Sequence, residues 1–224
     1  MIDLRAMLTG EVTVTAAVKL DTRRQLDALK PFFKEEHTRA KQHPLALTTG
    51  LSRREAEARR GQWNERKKQM RREGTLIDSF NALVTAGLCQ EIDQRGWNSP
   101  WDPFPHQARA QGRSPGSPNG VWHEPVTVRL PTDLVNTVYA ACWHTSKDAR
   151  DQLEDWQQRH PKAHPTHSTR HNCTEAERAE FEAIRSRITH RGDIWRAAIL
   201  RGLHTAYRLQ TAAGDAPEPD TPHI

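Results

Sequence analysis

Glu124-Pro-Val-Thr-Val-Arg-Leu-Pro-Thr-Asp-Leu-Val-Asn-Thr-Val-Tyr139 is the stretch on which the fold of this chain turns. It opens with strict alternation. Val126, Val128 and Leu130 fall on one side of an extended strand, Thr127 and Arg129 on the other. Pro131 closes the strand, because a proline cannot donate to a ladder yet fits the first turn of a helix. Leu134, Val138, Ala141 and Thr145 then recur at helical spacing. The stretch therefore predicts a short strand with one polar face, leading straight into an amphipathic helix.

A second copy of this grammar lies near the start. Val14, Ala16, Val18 and Leu20 alternate with Thr15, Ala17 and Lys19, Asp21 or Thr22 offers a helix cap, and Leu26, Leu29 and Phe33 supply an apolar stripe. Val18-Lys19-Leu20-Asp21-Thr22 matches Val128-Arg129-Leu130-Pro131-Thr132 at an offset of 110 residues. Further on, Ser52-Arg-Arg-Glu55 and Thr174-Glu-Ala-Glu177 are capping-box patterns, one in each half. The helix from Ser52 is expected to reach Glu73 before Gly74, and that from Thr174 to reach Arg191 before Gly192. Beyond each glycine, the segment 78–88 aligns without gaps on 193–203, at an offset of 115.

Strand, first helix, capped middle helix and apolar last helix thus recur in order, which implies an internal duplication. The first repeat spans 12–95, a Pro/Gly-rich linker 96–120, the second repeat 121–210 and a disordered tail 211–224. Five prolines and four glycines mark the linker. Its Trp97, Trp101 and Phe104 are unusual in a solvated tether; packing against a neighbouring helix is the favoured reading, a partner-docking motif the alternative.

Composition bounds the function. Apolar residues make up 35% of the chain and charged residues 27%, with mean hydropathy −0.84, which favours helical units with much exposed surface. The formal charge of +5 suits a nucleic-acid partner without requiring one. Cys89, Cys142 and Cys173 are odd in number and widely spaced, so a disulfide framework is not expected and a reducing compartment is. No apolar run reaches the ~18 residues of a membrane span, and the N-terminus carries no signal pattern. A soluble, cytoplasmic protein without a membrane partner is the expectation. There is no Gly-rich phosphate loop, Gly-x-Ser-x-Gly or His-Glu-x-x-His, so neither enzyme activity nor a cofactor is expected. His160, His164, His167, His171 and Cys173, with Cys142 and His144, are the right types for zinc. Their spacing matches no finger, the first half offers only His37 and His43, and a polar His-rich loop is the favoured reading.

The two strands, the starts of the helices after them and the two last helices resemble the ribbon-helix-helix DNA-binding family, the fold of Arc- and MetJ-type repressors. The resemblance implies a mainly α fold with a short two-stranded antiparallel ribbon, in which tandem ribbon-helix-helix-like repeats form an intrachain pseudo-dimer. In that family the ribbon enters the major groove and its outer face reads base edges. A register following the repeat sets Ala17 opposite Thr127, Thr15 opposite Arg129, and Lys19 near Pro125. Thr15, Ala17, Lys19, Thr127 and Arg129 are then the expected base contacts. The family also clamps phosphate at the start of the last helix, where free backbone N–H groups favour an anion; the matching positions are Gly74 and Thr75, and Arg191 and Gly192. The chain departs from the family in one large respect: an insertion with its own capped helix replaces the usual short turn between helices.

The first insertion is strongly basic. Residues 51–73 hold nine Lys and Arg against four Glu, and Arg53, Arg60, Lys67 and Arg71 are expected phosphate contacts. A solvated face of i,i+4 ion pairs is the plain alternative. The implied function is sequence-specific binding of double-stranded DNA by a nucleoid-associated repressor or site-marking protein of a bacterial or mobile-element system, with further copies able to line up along the DNA. Two other readings stay open: an antitoxin-like helical interaction module, and RNA binding through the basic helix.

Overall fold

Alternation places the strands as the pattern requires. In the computed structural model, which describes residues 10–105, 122–163 and 173–214, strand β1 (Glu11–Val18) pairs antiparallel with β2 (Glu124–Pro131) in a two-stranded sheet. Val14, Ala16 and Val18 of β1 and Val126, Val128 and Leu130 of β2 are buried on one face. A fully buried Val or Leu side chain is worth roughly 1.5–3 kcal/mol, so this face alone anchors the ribbon to whatever lies beneath it.

The register is shifted by two residues from the expected one. Thr15 faces Thr127, Thr13 faces Arg129 and Ala17 faces Pro125. The reason is that β1 ends at Val18: Lys19 already serves as the N-cap residue of helix α1 (Leu20–Ala28), so Asp21 and Thr22 lie inside that helix instead of capping it. Leu20, expected on the inner face, is exposed. A slip of two leaves every other side chain on its own face, since the pleat repeats every two residues.

After β1 follow α1, α2 (Lys30–Lys41), a short 3-10 turn at Pro44–Ala46, α3 (Arg53–Glu73) and α4 (Phe80–Gln94). After β2 follow α5 (Thr132–Thr145), α6 (Lys147–Arg159), α7 (Glu175–Arg185) and α8 (Arg191–Gly214). Both capping boxes form as the sequence predicts: the Ser52 N–H donates to Glu55 at 3.0 Å and the Thr174 N–H to Glu177 at 2.7 Å. Gly74 ends α3 in the left-handed conformation, φ 72°, which only glycine adopts at little cost.

The second half departs from expectation at its glycine. Helix α7 stops at Arg185, and Gly192 is buried within the first turn of α8. A turn between them is fixed by the Thr189 N–H donating to Ser146 at 2.9 Å. Helix α8 also runs through 211–214, a segment expected to be disordered; Leu209 packs on the core, and the Thr211 hydroxyl bonds back to the Tyr207 carbonyl at 3.0 Å. The remainder of that tail, and 106–120 of the expected linker, lie outside the described residues. The start of the linker is no tether. Trp97 is buried, Trp101 meets it edge-on, and Phe104 lies against Tyr139, as the favoured reading of these rings has it.

One core joins the inner ribbon face to helices from each half. At its centre α4 and α8 touch backbone to backbone. A Cβ added at Gly87 would overlap the Ala198 carbonyl and sit 2.6 Å from the Gly202 nitrogen; one at Gly202 would overlap the Leu83 carbonyl. A smaller cluster of Trp156, Phe181 and Ile184 binds α7 to α6. Among the described residues no helix is long and apolar enough to cross a membrane.

Gly87→Ala should therefore cost about 2–3 kcal/mol or more, since two backbones must separate to admit a methyl group. Gly61→Ala, in the exposed middle of α3 with nothing within 4 Å of the new Cβ, should stabilise by about 0.5–1 kcal/mol. Urea denaturation of the two variants decides the matter; equal effects would contradict the close approach.

Candidate nucleic-acid interface

The ribbon's second face looks away from the core. Thr13, Thr15, Thr127 and Arg129 are exposed on it, and Ala17 is half-buried beside Pro125. The Thr15 and Thr127 hydroxyls hydrogen-bond across the strands at 3.0 Å, which fixes their rotamers at the centre of the face. The backbone N–H of Arg129 donates to Asn81 Oδ1 at 3.1 Å, tying β2 to the first turn of α4. The guanidinium of Arg129 has no hydrogen-bond or ion-pair partner among the described residues. An arginine held at its backbone with a free planar fork is suited to bidentate recognition.

Of the five expected base-contact residues, Thr15, Ala17, Thr127 and Arg129 share this face. Lys19 does not: it is exposed, but it caps α1 just past the strand's end. Thr13 joins the face without having been expected there, although the alternation Glu11-Val12-Thr13-Val14 continues the pattern backwards and points to it.

The expected phosphate residues separate into three groups. Gly74 and Thr75 form the C-terminal cap of α3: the N–H groups of both donate to the Met70 carbonyl, so they are not the start of a helix and not free for an anion. The N-terminus of α4 lies further on, with Ser79 capping Ala82. Arg191 and Gly192 do open α8, and the Arg191 guanidinium stacks over the Tyr139 ring at 4.6 Å. Arg53 and Arg60 are exposed on α3; Arg53 pairs with Glu57 at 3.2 Å and Arg60 donates to the Ala56 carbonyl at 3.2 Å.

Lys67 and Arg71 are committed elsewhere. Lys67 lies 2.7 Å from Asp78, and Arg71 grips the same carboxylate with two bonds of 2.9 Å. Burial pushes the Asp78 carboxyl up, but the bonds from Arg71 and Lys67 outweigh it and hold the group below its ordinary value. No local pattern announces this group, since Asp78 lies beyond the helix and meets it only through the turn at Gly74. A parallel site binds α4 to α8. Glu91 is gripped by Arg95 at 2.6 Å and by Arg201, and although burial pushes it up, these two cations hold it low. Glu36 of α2 goes the other way: burial raises it in spite of Arg39.

Beside the ribbon's Gly10–Pro131 end lies a cleft of about 290 Å³. Lys68, Arg71 and Arg72 of α3 line it with Arg129, Asn81, Glu11 and Asp133. Arg72 holds Asp133 at 2.8 and 3.0 Å, which locks the end of α3 to the start of α5. Lys68 and Arg72 do not stand out in the sequence from the other cations of α3, yet they are the ones that join Arg71 in lining this cleft beside the outer ribbon face.

No family model, no curated protein and no solved structure matches the chain.

The described candidate zinc ligands have other surroundings. The His160 Nδ1 pairs with Glu177 at 2.9 Å, His144 bonds the Asp102 carbonyl at 2.9 Å, and Cys142 is buried, its thiol pushed up to about 12. His164, His167 and His171 lie outside the described residues. Among the described residues no group of three potential ligands converges.

Because Asp78 titrates low in the fold, its stabilisation is present in full above about pH 4–5 and is lost as pH falls through the lowered value. Stability measured by urea from about pH 7 to pH 2 should therefore fall more steeply in the wild type than in Asp78→Asn, with the two curves converging in acid. Parallel curves would show that the Lys67–Arg71–Asp78 group adds nothing.

Proposed function

We propose that the protein binds double-stranded DNA in a sequence-specific manner, inserting its two-stranded ribbon into the major groove. The carrying observation is the outer ribbon face, where Thr13, Thr15, Thr127 and Arg129 stand on one exposed surface, the Arg129 guanidinium without a partner among the described residues. The major groove admits a two-stranded ribbon. There arginine can bond guanine O6 and N7 together, while threonine can bond a base edge or touch the thymine methyl. The basic α3 beside this face supports the same partner, and nothing on the ribbon favours RNA, whose deep A-form groove excludes side chains.

The chain is read as a single-chain form of the ribbon-helix-helix design, a pseudo-dimer. Among the described residues, each half supplies one strand followed by four α-helices, with a capping box on the third. Equivalent positions meet across an approximate two-fold. Ala16 faces Val126, 110 residues on, and Gln90 bonds Thr205, 115 residues on, at 3.0 Å. Gly87 abuts Ala198 while Gly202 abuts Leu83, which is the same contact with the halves exchanged. The two strands differ in sequence, so the preferred site should lack full palindromic symmetry. A repressor or site-marking role in a bacterial cell or mobile element fits such a reader.

Selection of fragments from random duplex DNA tests this, with Arg129→Ala and Thr15→Val/Thr127→Val in parallel. The wild type should yield a short, partly asymmetric consensus. Arg129→Ala should lose discrimination at one position by about 1–3 kcal/mol. Enrichment without a consensus, equal in all three proteins, would reduce the ribbon to scaffolding.

A further inference from the structure

The cleft beside Arg129 makes the two ends of the ribbon unlike. Its lining carries Lys68, Arg71, Arg72 and Arg129 with Glu11 and Asp133; with the paired Glu65, Asp78 and Lys67 included, five cations stand against four carboxylates, so the group keeps a positive excess of one. From it α3 extends for 21 residues, about 30 Å at 1.5 Å each. Along that length, and among the described residues, Arg54 and Arg66 are exposed with no hydrogen-bond or ion-pair partner, and Lys68 is exposed, its ammonium paired only with the surface Glu65. Helix α3 buries no residue fully, so its surface is not spent on the core.

The corresponding helix of the other half has the opposite character. Helix α7 carries Glu175, Glu177, Glu180 and Glu182 against Arg178 and Arg185, and it buries Phe181 and Ile184 against α6. A duplex backbone is a dense row of negative charge and attracts one of these helices while repelling the other.

We propose that the cleft seats a backbone phosphate just outside the ribbon's base contacts, and that α3 follows the DNA backbone beyond it on that flank alone. Resting on the ribbon reading, this gives the protein a fixed polarity on its site: the flank beyond Arg129 is held by α3, and the opposite flank is not held in this way. The asymmetry orients the protein relative to a promoter or a neighbouring copy, even at a site whose consensus is nearly symmetric.

Hydroxyl-radical footprinting of the full chain on its selected duplex tests the proposal, together with the salt dependence of binding for wild type and Arg54→Ala/Arg66→Ala/Lys68→Ala. Protection should reach further from the consensus on one side than on the other. In the triple variant that extension should vanish, and the slope of log K against log salt should fall by about 2–3, near 0.9 for each phosphate that the variant no longer neutralises. The selected consensus should not change. A wild-type footprint equally long on each side, or a variant with the wild-type flank and slope, would overturn the polarity while leaving the ribbon reading intact. Failure of the wild type to select any duplex consensus would sink the ribbon reading and this inference with it.

Discussion

Two strands of eight residues do not make a stable sheet in water. Here they come from positions more than a hundred residues apart, so closing them also costs chain entropy. What holds them is the inner face, where Val14, Ala16, Val18, Val126, Val128 and Leu130 are buried on helices supplied by each half. Those helices can lie that close only because α4 and α8 cross at Gly87 and Gly202, where no side chain intervenes. Glu91 bridging Arg95 and Arg201, and Gln90 bonded to Thr205, fasten the same crossing with polar groups. The outer face is therefore free to be polar, because its strands are stabilised from beneath.

Charge is divided between architecture and surface in a way that the number of Lys and Arg residues conceals. Helix α3 is the most basic part of the chain, yet Lys67 and Arg71 neutralise Asp78, and Arg72 reaches across to Asp133. Each fixes α3 to the body of the molecule. Among the described residues, Arg54, Arg66 and, on the ribbon, Arg129 are left without such duties, and Lys68 has only a surface glutamate. Cations without an internal partner can be brought to an anionic ligand without breaking anything, whereas separating a buried pair leaves an uncompensated charge.

Much of this was legible in the sequence, and the parts that were not share a cause. Period-two alternation identified the strands and sorted Thr15, Thr127 and Arg129 from the buried valines. Local spacing announced both capping boxes, and the poor fit of Trp97 and Trp101 to a tether pointed to their packing. Register was invisible because a slip of two residues preserves the pattern, so the true partner of Arg129, Thr13, went unnamed. Lys19 continued the alternation on paper, but the chain turns into α1 at that residue. The fates of Lys67 and Arg71 depend on Asp78 arriving through a turn, and Gly192 sits inside a helix because Ser146, far away in sequence, holds the preceding turn. Tertiary partners decided each of these.

The central claim is that one chain supplies a whole reading ribbon. Native mass spectrometry of the protein with a short duplex carrying a single selected site tests it most directly. The account predicts one chain per duplex, formed by a protein that needs no partner copy to bind. A complex containing two chains and none containing one would contradict it, because each ribbon would then have to be assembled between molecules.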